Sequence, residues 1–487
     1  ESGLEPMVLG ACSKLSTRLM LWETPERATI DPFSVRIVDL LREIGSHRDA
    51  TALIERARLL LWAQVARQAS FNTVPEQALK VHFNRPQGDI GRRDLFKTLL
   101  PRYQVIPYVR RDMCVGWESC QICRESCPCN AIVNEDDEVL IDKPKCRGCG
   151  SCVTVCPRQA VSYPTFSPDE LAAEMEGLLV SDGDMLKPRI IAITCESRLS
   201  SFSDKGENLL VNAPNVLPLE VPCLDMASPW LLLRAFDLGA QGLAIISNKE
   251  MCQLGLGCNQ WQDNVRFTQE LLELWGMEGE RVRSFDGNGL EQGLSEFARQ
   301  VASMPSTCLT SSQPTAVPDG GPTLPALIAS LTEKLAPLSI GVVSAGSVPL
   351  GKLVLDTSQC TACGLCALEC PTGALIFPPD PDTGSCRLLF QHQSCVGCGQ
   401  CVKVCPEDCL HLENVLELHS LNVPAETLLE AEIARCQKCG AAIAPKAMID
   451  KLKAAISDGE RVASYLDICP ACRTRAVFGA AASKVGV

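Results

Sequence analysis

The sequence predicts an α+β multidomain protein in which compact cysteine-rich modules flank one α/β domain with a parallel sheet. Three observations carry that prediction. Cysteines recur in runs of C-x2-C-x2-C-x3-C-P, one stretch between the runs alternates β-branched strands with amphipathic helices, and two C-x2-C pairs lie near the end of the chain. At 487 residues the chain exceeds a single hydrophobic core. The expected division is a mainly helical N-terminal region over 1–100, a cysteine module over 101–170, the α/β domain over 171–302, a linker over 303–335, a second cysteine module over 336–420 and a paired C-x2-C module over 421–487.

Composition narrows the class. The 29 cysteines sit in metal-ligand groupings rather than scattered pairs, which predicts a reducing, cytoplasmic setting. A net charge of −13 argues against nucleic acid, whose binding is driven by basic surface. Apolar residues are 46% of the chain, yet no uncharged run is long enough to span a bilayer, so no membrane insertion is expected. Arg92-Arg93 lies inside the chain with no apolar stretch after it and does not read as a targeting signal.

In the N-terminal region, ALIERARLLLWAQVARQA reads as a packing helix, and Cys12 as an ordinary buried thiol. The first cysteine module follows. Its second run, Cys146-x2-Cys149-x2-Cys152-x3-Cys156-Pro157, has the spacing of bacterial ferredoxins, in which three thiolates serve one cubane and the fourth serves its neighbour. The first run is irregular, because Trp117 stands where its first cysteine is due. Three readings compete: Cys114 supplies the ligand from a loop three residues longer, the site holds only three irons, or Cys129 swings in. The first is favoured, since a small loop insertion costs little closure entropy. The crossover then assigns one [4Fe–4S] cluster to Cys114, Cys120, Cys123 and Cys156, and another to Cys146, Cys149, Cys152 and Cys127. Arg110, Arg111, Lys143 and Lys145 flank these loops as cations beside an anionic centre. The segment FSPDELAAEMEGLL, with a Ser cap and acids in its first turn, predicts a helix leading out of the module.

The α/β domain is read from its rhythm. RIIAIT ends at Cys195, VLPLEVP ends at Cys223, and GLAIIS ends near Cys252 and Cys258, with helical stretches SPWLLLRAFDLGAQG and QDNVRFTQELLELWGM between and after, and a strand RVRSF. Alternating strands and helices predict a parallel sheet, and α/β sheets place their sites at the carboxyl ends of strands. Thiols converging there fit an iron–sulfur cluster better than scattered buried cysteines do.

These residues carry a family resemblance. TCES at Cys195, VPC at Cys223 before the helix ending in LGAQGLAI, Cys252-x5-Cys258-Asn, and the helix closing in LLELWGMEGERV resemble the delta subunit of methyl-viologen-reducing hydrogenase over residues 189–287. The resemblance implies a [2Fe–2S] cluster on Cys195, Cys223, Cys252 and Cys258. It also implies electron passage between a hydrogenase or formate dehydrogenase and heterodisulfide reductase. The loop NKEMCQLGLGC differs from the GC-rich loop of many relatives. VLGACSK, LLREIGSH and the helix at 52–69 resemble part of the flavin-bearing subunit of heterodisulfide reductase, but no G-x-G-x-x-G occurs in the chain to hold a flavin.

SMPSTCLTSSQPTAVPDGGPTLP, rich in Ser, Thr, Pro and Gly, reads as a connector. In the second cysteine module both runs are complete. Cys360, Cys363, Cys366 and Cys405 are expected to hold one [4Fe–4S] cluster, and Cys395, Cys398, Cys401 and Cys370 another. Four thiols within eleven residues cannot all pair as unstrained disulfides. The C-terminal pairs Cys436-x2-Cys439 and Cys469-x2-Cys472 predict a zinc-ribbon-like site for one Zn, with a further iron–sulfur cluster as the rival; no C-P closes a cubane loop there. Cys12, Cys129, Cys308, Cys386 and Cys409 are left without assignment.

Four [4Fe–4S] clusters, one [2Fe–2S] cluster and a zinc predict an electron conduit. Its expected partners are other redox subunits of a multiprotein complex, including a flavin- or metal-bearing catalytic subunit. The rival is a catalytic iron–sulfur reductase in its own right. Against that stand the missing flavin fingerprint, the lack of an adjacent Cys-Cys-Gly, and only five histidines. A zinc-ribbon regulator of DNA conflicts with the acidic charge.

Overall fold

The computed structural model describes residues 7–11, 35–39, 50–71, 73–83, 101–118, 120–156, 158–179, 186–195, 213–247, 260–286, 289–305, 323–335, 341–346, 348–380, 384–423, 425–456 and 464–475. The chain forms two compact units, Glu1–Val348 and Pro349–Val487.

The first unit opens with β1 (Met7–Ala11) and β2 (Val35–Asp39), a parallel pair, followed by the helix α1 (Ala50–Ala69). The expectation of a mainly helical region over 1–100 therefore missed these two strands and a third at Leu79–Phe83. Apolar runs of five residues are too short for periodicity to separate helix from strand. Strands β3 (Leu79–Phe83) and β4 (Pro101–Val105) pair antiparallel and lead into the cysteine module. There β5 (Tyr108–Val109) pairs with β8 (Val161–Ser162), and β6 (Ile132–Glu135) with β7 (Glu138–Ile141). Asp136 and Asp137 join the latter hairpin with φ of 51° and 65°, the left-handed backbone that a two-residue turn between twisted strands needs.

Helix α2 (Pro168–Leu179) follows. Its capping box is reciprocal: Glu170 N–H donates to Ser167 Oγ (3.2 Å), and Ser167 N–H donates to Glu170 Oε2 (2.9 Å). Helices α1 and α2 cross closely at Gly177, where a Cβ would stand 2.5 Å from Ala63 Cα. A buried Arg67–Glu174 ion pair locks the crossing, with Gln64 Nε2 donating to the same carboxylate (2.5 Å). Arg56 Nη1 donates to the carbonyls of Pro214 (2.8 Å) and Val216 (2.6 Å), which anchors α1 at the start of a sheet strand.

That sheet is wholly parallel. It holds β9 (Ile190–Cys195), β10 (Val216–Val221), β11 (Gly242–Ile246) and β12 (Val282–Phe285) in the order β10-β9-β11-β12. Ile190 through Ile193 have no exposed surface, as expected where helices cover both faces of a parallel sheet. Helices α3 (Pro229–Asp237), α4 (Gln260–Leu274) and α5 (Leu290–Ser303) complete the domain. Leu294, Phe297 and Val301 of α5 pack on Ile190, Ala244 and Ile246. A further helix, α6 (Leu324–Leu335), lies in the stretch read as linker. Its Thr332 Oγ1 accepts from Trp275 Nε1 (3.1 Å) and Lys334 pairs with Asp237 (2.9 Å), so the end of that stretch belongs to the α/β domain. The helical apolar spacing of LPALIASLTEKL is the reason.

In the second unit β13 (Lys352–Leu355) pairs antiparallel with a strand at 410–413. Strands β14 (Leu375–Ile376) and β15 (Pro379–Asp380) pair with β16 (Ser385–Phe390). After β17 (Leu410–Glu413), the ten-residue β18 (Glu426–Arg435) pairs with β16 on one side and β19 (Ala442–Pro445) on the other, and α7 (Lys446–Ala455) follows. One sheet thus runs from the cysteine module into the C-terminal C-x2-C region. Among the described residues no helix is long and apolar enough to cross a membrane.

Candidate iron–sulfur and metal centres

Two cavities of the second unit are lined by its cysteine runs. One takes Cys360, Cys363, Cys366 and Cys405; the other takes Cys370, Cys395, Cys398 and Cys401. The fourth cysteine of each run therefore faces the three of the other. The loops achieve this with left-handed turns two residues past the first cysteine, at Ala362 (φ 54°) and Gly397 (φ 63°). The first turn aims Ala362 N–H at Cys360 Sγ (3.4 Å). Burial, then the neighbouring thiols, push Cys366 and Cys401 up to about 12. Close-packed buried thiols without a cation stay protonated, so the site favours a ligand that brings positive charge. The donor set fits iron–sulfur clusters on chemistry as well as shape.

The first unit repeats the arrangement. Cys123 is pushed up to about 12 by burial and by the thiols of Cys156, Cys120 and Cys114. Cys146 and Cys149 have Cys127 beside them, and Gly148 N–H donates to Cys146 Sγ (3.4 Å). The left-handed turn recurs at Gly148 (φ 72°) after Cys146, and again at Gly116 (φ 89°), two residues after Cys114. Cys114-Val115-Gly116 is thus built like the opening of a regular run, and the insertion follows that turn. Trp117, Cys114 and Cys123 all pack on the core of Val109, Ile132, Val139, Cys152 and Val161, and the Arg124 guanidinium lies over the Trp117 ring at 5.0 Å. Cys129 lies on a separate core of Ile106, Ala131 and Cys146.

The four flanking cations are engaged by protein groups. Arg110 Nη2 donates to Gln159 O (2.6 Å), Lys143 Nζ donates to Glu76 O (2.9 Å), Arg111 pairs with Glu138 (2.7 Å) and Lys145 with Asp142 (2.9 Å). A cation that reaches a site is Lys80 of β3, whose Nζ donates to Cys146 O (2.6 Å) and helps hold the Cys146 thiol down against burial. Sequence reasoning missed it, because it lies 66 residues before its partner.

In the α/β domain, Cys195 ends β9 and Cys223 lies two residues beyond β10, whose Val221 is the register partner of Cys195. Both thiols stand at the carboxyl edge of adjacent parallel strands. Cys252 and Cys258 lie outside the described residues, as do Cys12 and Cys308.

At the C-terminus the sulfurs of Cys436, Cys439, Cys469 and Cys472 all lie within 4.8 Å of one another. Tetrahedral zinc with Zn–S bonds of about 2.3 Å sets sulfurs about 3.8 Å apart, whereas four thiolates on four different irons stand wider. The Cys469 N–H donates to Cys436 Sγ (3.2 Å) and holds that thiol down to about 6. Lys451 of α7 forms an ion pair with Glu407, just after the Cys405-Pro406 stop, and Glu407 accepts from Thr361 Oγ1 (3.2 Å). The C-terminal helix is thereby tied to the wall of the Cys360 cavity. Cys409 also lines that cavity, its sulfur 3.5 Å from Cys405 Sγ, while Cys386 is buried on β16 with its thiol toward Ala431 O (3.6 Å).

Comparison with known proteins agrees with this layout. Residues 190–305 match the methyl-viologen-reducing hydrogenase delta subunit family, and residues 139–161, 353–376 and 390–411 match 4Fe-4S binding domains. The chain is 36% identical to the 7Fe ferredoxin of Hydrogenibacillus schlegelii over 63 residues, 13% of this chain and 80% of that protein. It is 33% identical to one component of the ferredoxin:CoB-CoM heterodisulfide reductase of Methanosarcina acetivorans over 135 residues, 26% of this chain but only 16% of that protein. It is 27% identical to the vhu iron-sulfur component of the F420-non-reducing hydrogenase of Methanococcus maripaludis over 122 residues, 25% of this chain and 90% of that protein.

Proposed function

Because this chain belongs to the ferredoxin family through its 4Fe-4S modules and joins to them a hydrogenase delta-subunit domain, we propose that it relays electrons between partner subunits of a larger oxidoreductase complex. By family it is an iron–sulfur electron-transfer protein. The partners in this reading are hydrogenase, formate dehydrogenase or heterodisulfide reductase-like subunits that carry a flavin or metal catalytic site, in a reducing cytoplasm and an anaerobic metabolism. Bound clusters would supply one-electron storage with little rearrangement of the protein.

The observation that carries the reading is the meeting of thiols from sequence-distant runs in buried sites: Cys405 with Cys360, Cys363 and Cys366, and Cys370 with Cys395, Cys398 and Cys401. In this assignment Cys114, Cys120, Cys123 and Cys156 hold one [4Fe–4S] cluster and Cys146, Cys149, Cys152 and Cys127 the next. Cys195 and Cys223, with Cys252 and Cys258, hold a [2Fe–2S] cluster. The close C-terminal tetrad supports zinc over a further cubane.

Anaerobically purified protein is expected to contain about 18 irons and about one zinc, from the ligand sets above. It should accept electrons from a low-potential dye and show no reductase turnover by itself. Turnover of a flavin, nicotinamide or disulfide substrate by the isolated chain above roughly 1 s⁻¹ would refute the relay. Iron near 22 without zinc would overturn the C-terminal assignment.

A further inference from the structure

The ligand loop of the cysteine module meets the turn beyond Cys223 inside the first unit. Gly150, directly after Cys149, has φ 80°, and a Cβ there would lie 2.5 Å from Met226 Sδ. Met226 belongs to the short turn Leu224–Met226, whose Met226 N–H donates to Cys223 O (3.0 Å). Asn264 Nδ2 of α4 holds the end of this turn by donating to Ala227 O (3.1 Å). The glycine is needed twice, for the left-handed backbone and for the approach of the methionine.

At this junction Ser151 Oγ lies 3.4 Å from Cys149 Sγ and 3.3 Å from Asp225 Oδ2. Ser151 is 1% exposed and Asp225 6%, so water does not compete for either group. A serine hydroxyl carries one hydrogen. A metal-bound thiolate and a carboxylate both accept, so at any moment the hydrogen serves one of them.

We propose that Ser151 is a positioning residue whose hydroxyl turns between Asp225 and the Cys149 sulfur, tuning the second cluster site of the module and linking it to the turn beyond Cys223. The proposal rests on the reading that Cys149 holds a cluster. Were a bound cluster there to gain one electron from a low-potential viologen dye, its ligand sulfurs would become stronger acceptors and the O–H would turn toward Cys149. No covalent bond forms or breaks, and the proton stays on Ser151. Hydrogen bonds to ligand sulfur favour the more negative, reduced form. In a buried site such bonds are strengthened by low local polarizability. Asp225 draws the hydrogen the other way and adds its own negative charge, so it disfavours reduction.

The test is a redox titration of the full, cluster-loaded chain followed by spin spectroscopy. Cys149→Ser identifies the signal of this site by its loss. Ser151→Ala is expected to disfavour its reduction about tenfold, a downward shift of about 59 mV for a one-electron couple. Asp225→Asn should shift it upward, and in the Ser151→Ala background that upward shift should fall by at least half. Unchanged potential in Ser151→Ala with wild-type iron content overturns the proposal, as does an undiminished Asp225→Asn effect in the double variant. If Cys149→Ser loses neither iron nor signal, the cluster assignment itself fails, and that result is read before the other two.

Discussion

Replacing Cys114 by serine tests the irregular site at its weakest point. Cys114, Cys120 and Cys156 are the thiols gathered around Cys123, whereas Cys129 packs beside Cys146 and is not placed to substitute. Serine keeps the shape of the side chain but binds iron poorly, since a neutral hydroxyl is a harder and weaker ligand than thiolate. Three thiolates remain, so one iron should leave and total iron should fall from about 18 to about 17, or to about 14 if the whole cluster is lost. Half-buried Cys114 spends little folding energy on this change: one hydrogen-bonding group is altered, at about 1 kcal/mol. Far-ultraviolet circular dichroism should therefore stay native while an oxidised three-iron spin signal grows in. Cys129→Ser should leave iron and spectrum unchanged, and Trp117→Cys should restore regular spacing and compete with Cys114. A full [4Fe–4S] signal with unaltered iron in Cys114→Ser would refute the assignment.

At the C-terminal tetrad, the Cys436 thiol is held well below its ordinary value of 9.0, at about 6, by the Cys469 N–H. A depressed thiol favours the folded, metal-binding form above its ordinary value and loses that advantage as pH falls through about 6, so zinc should be kept against a chelator at pH 7 and released increasingly below pH 6; equal retention at pH 8 and pH 5 would contradict this. Gly397→Ala places a Cβ 2.6 Å from Leu350 O at φ 63° and should cost about 2 kcal/mol or more, with iron lost from the Cys395 site, as read by melting and metal analysis. Arg67→Met leaves Glu174 buried without its partner and should cost about 3–5 kcal/mol, while Arg67→Met with Glu174→Leu should recover most of it; equal losses in both variants, measured by denaturant unfolding, would show that the ion pair is not what locks α1 to α2.

Much of this protein is written locally. The three-residue rhythm of Cys360, Cys363 and Cys366 specifies a loop whose backbone turns around one centre, and β9 to β12 are short apolar runs between helices of 3.6-residue periodicity. The capping box at Ser167 and the glycine two residues after Cys114 are equally visible in the chain, although the latter gains meaning only once its φ is seen to match that of Gly148. The strands at 7–11 and 35–39 were not legible, because each is stabilised by the other across 28 residues and not by its own pattern. For α6 the apolar spacing of LPALIASLTEKL is visible in the chain, while its place against Trp275 and Asp237 is set by packing.

The sequence by itself determined which residues are candidate ligands, how each loop is spaced and where the parallel sheet lies, since these follow from interactions within a few positions. The crossed sharing of thiols between runs was already expected from their spacing; only the tertiary structure decided that Lys80 reaches Cys146, that Cys409 enters the Cys360 cavity, and that Ser151 stands between Cys149 and Asp225. Each of these meetings joins side chains brought together by packing of distant segments. Their partners are chosen by burial and shape across the fold, which no local spacing encodes.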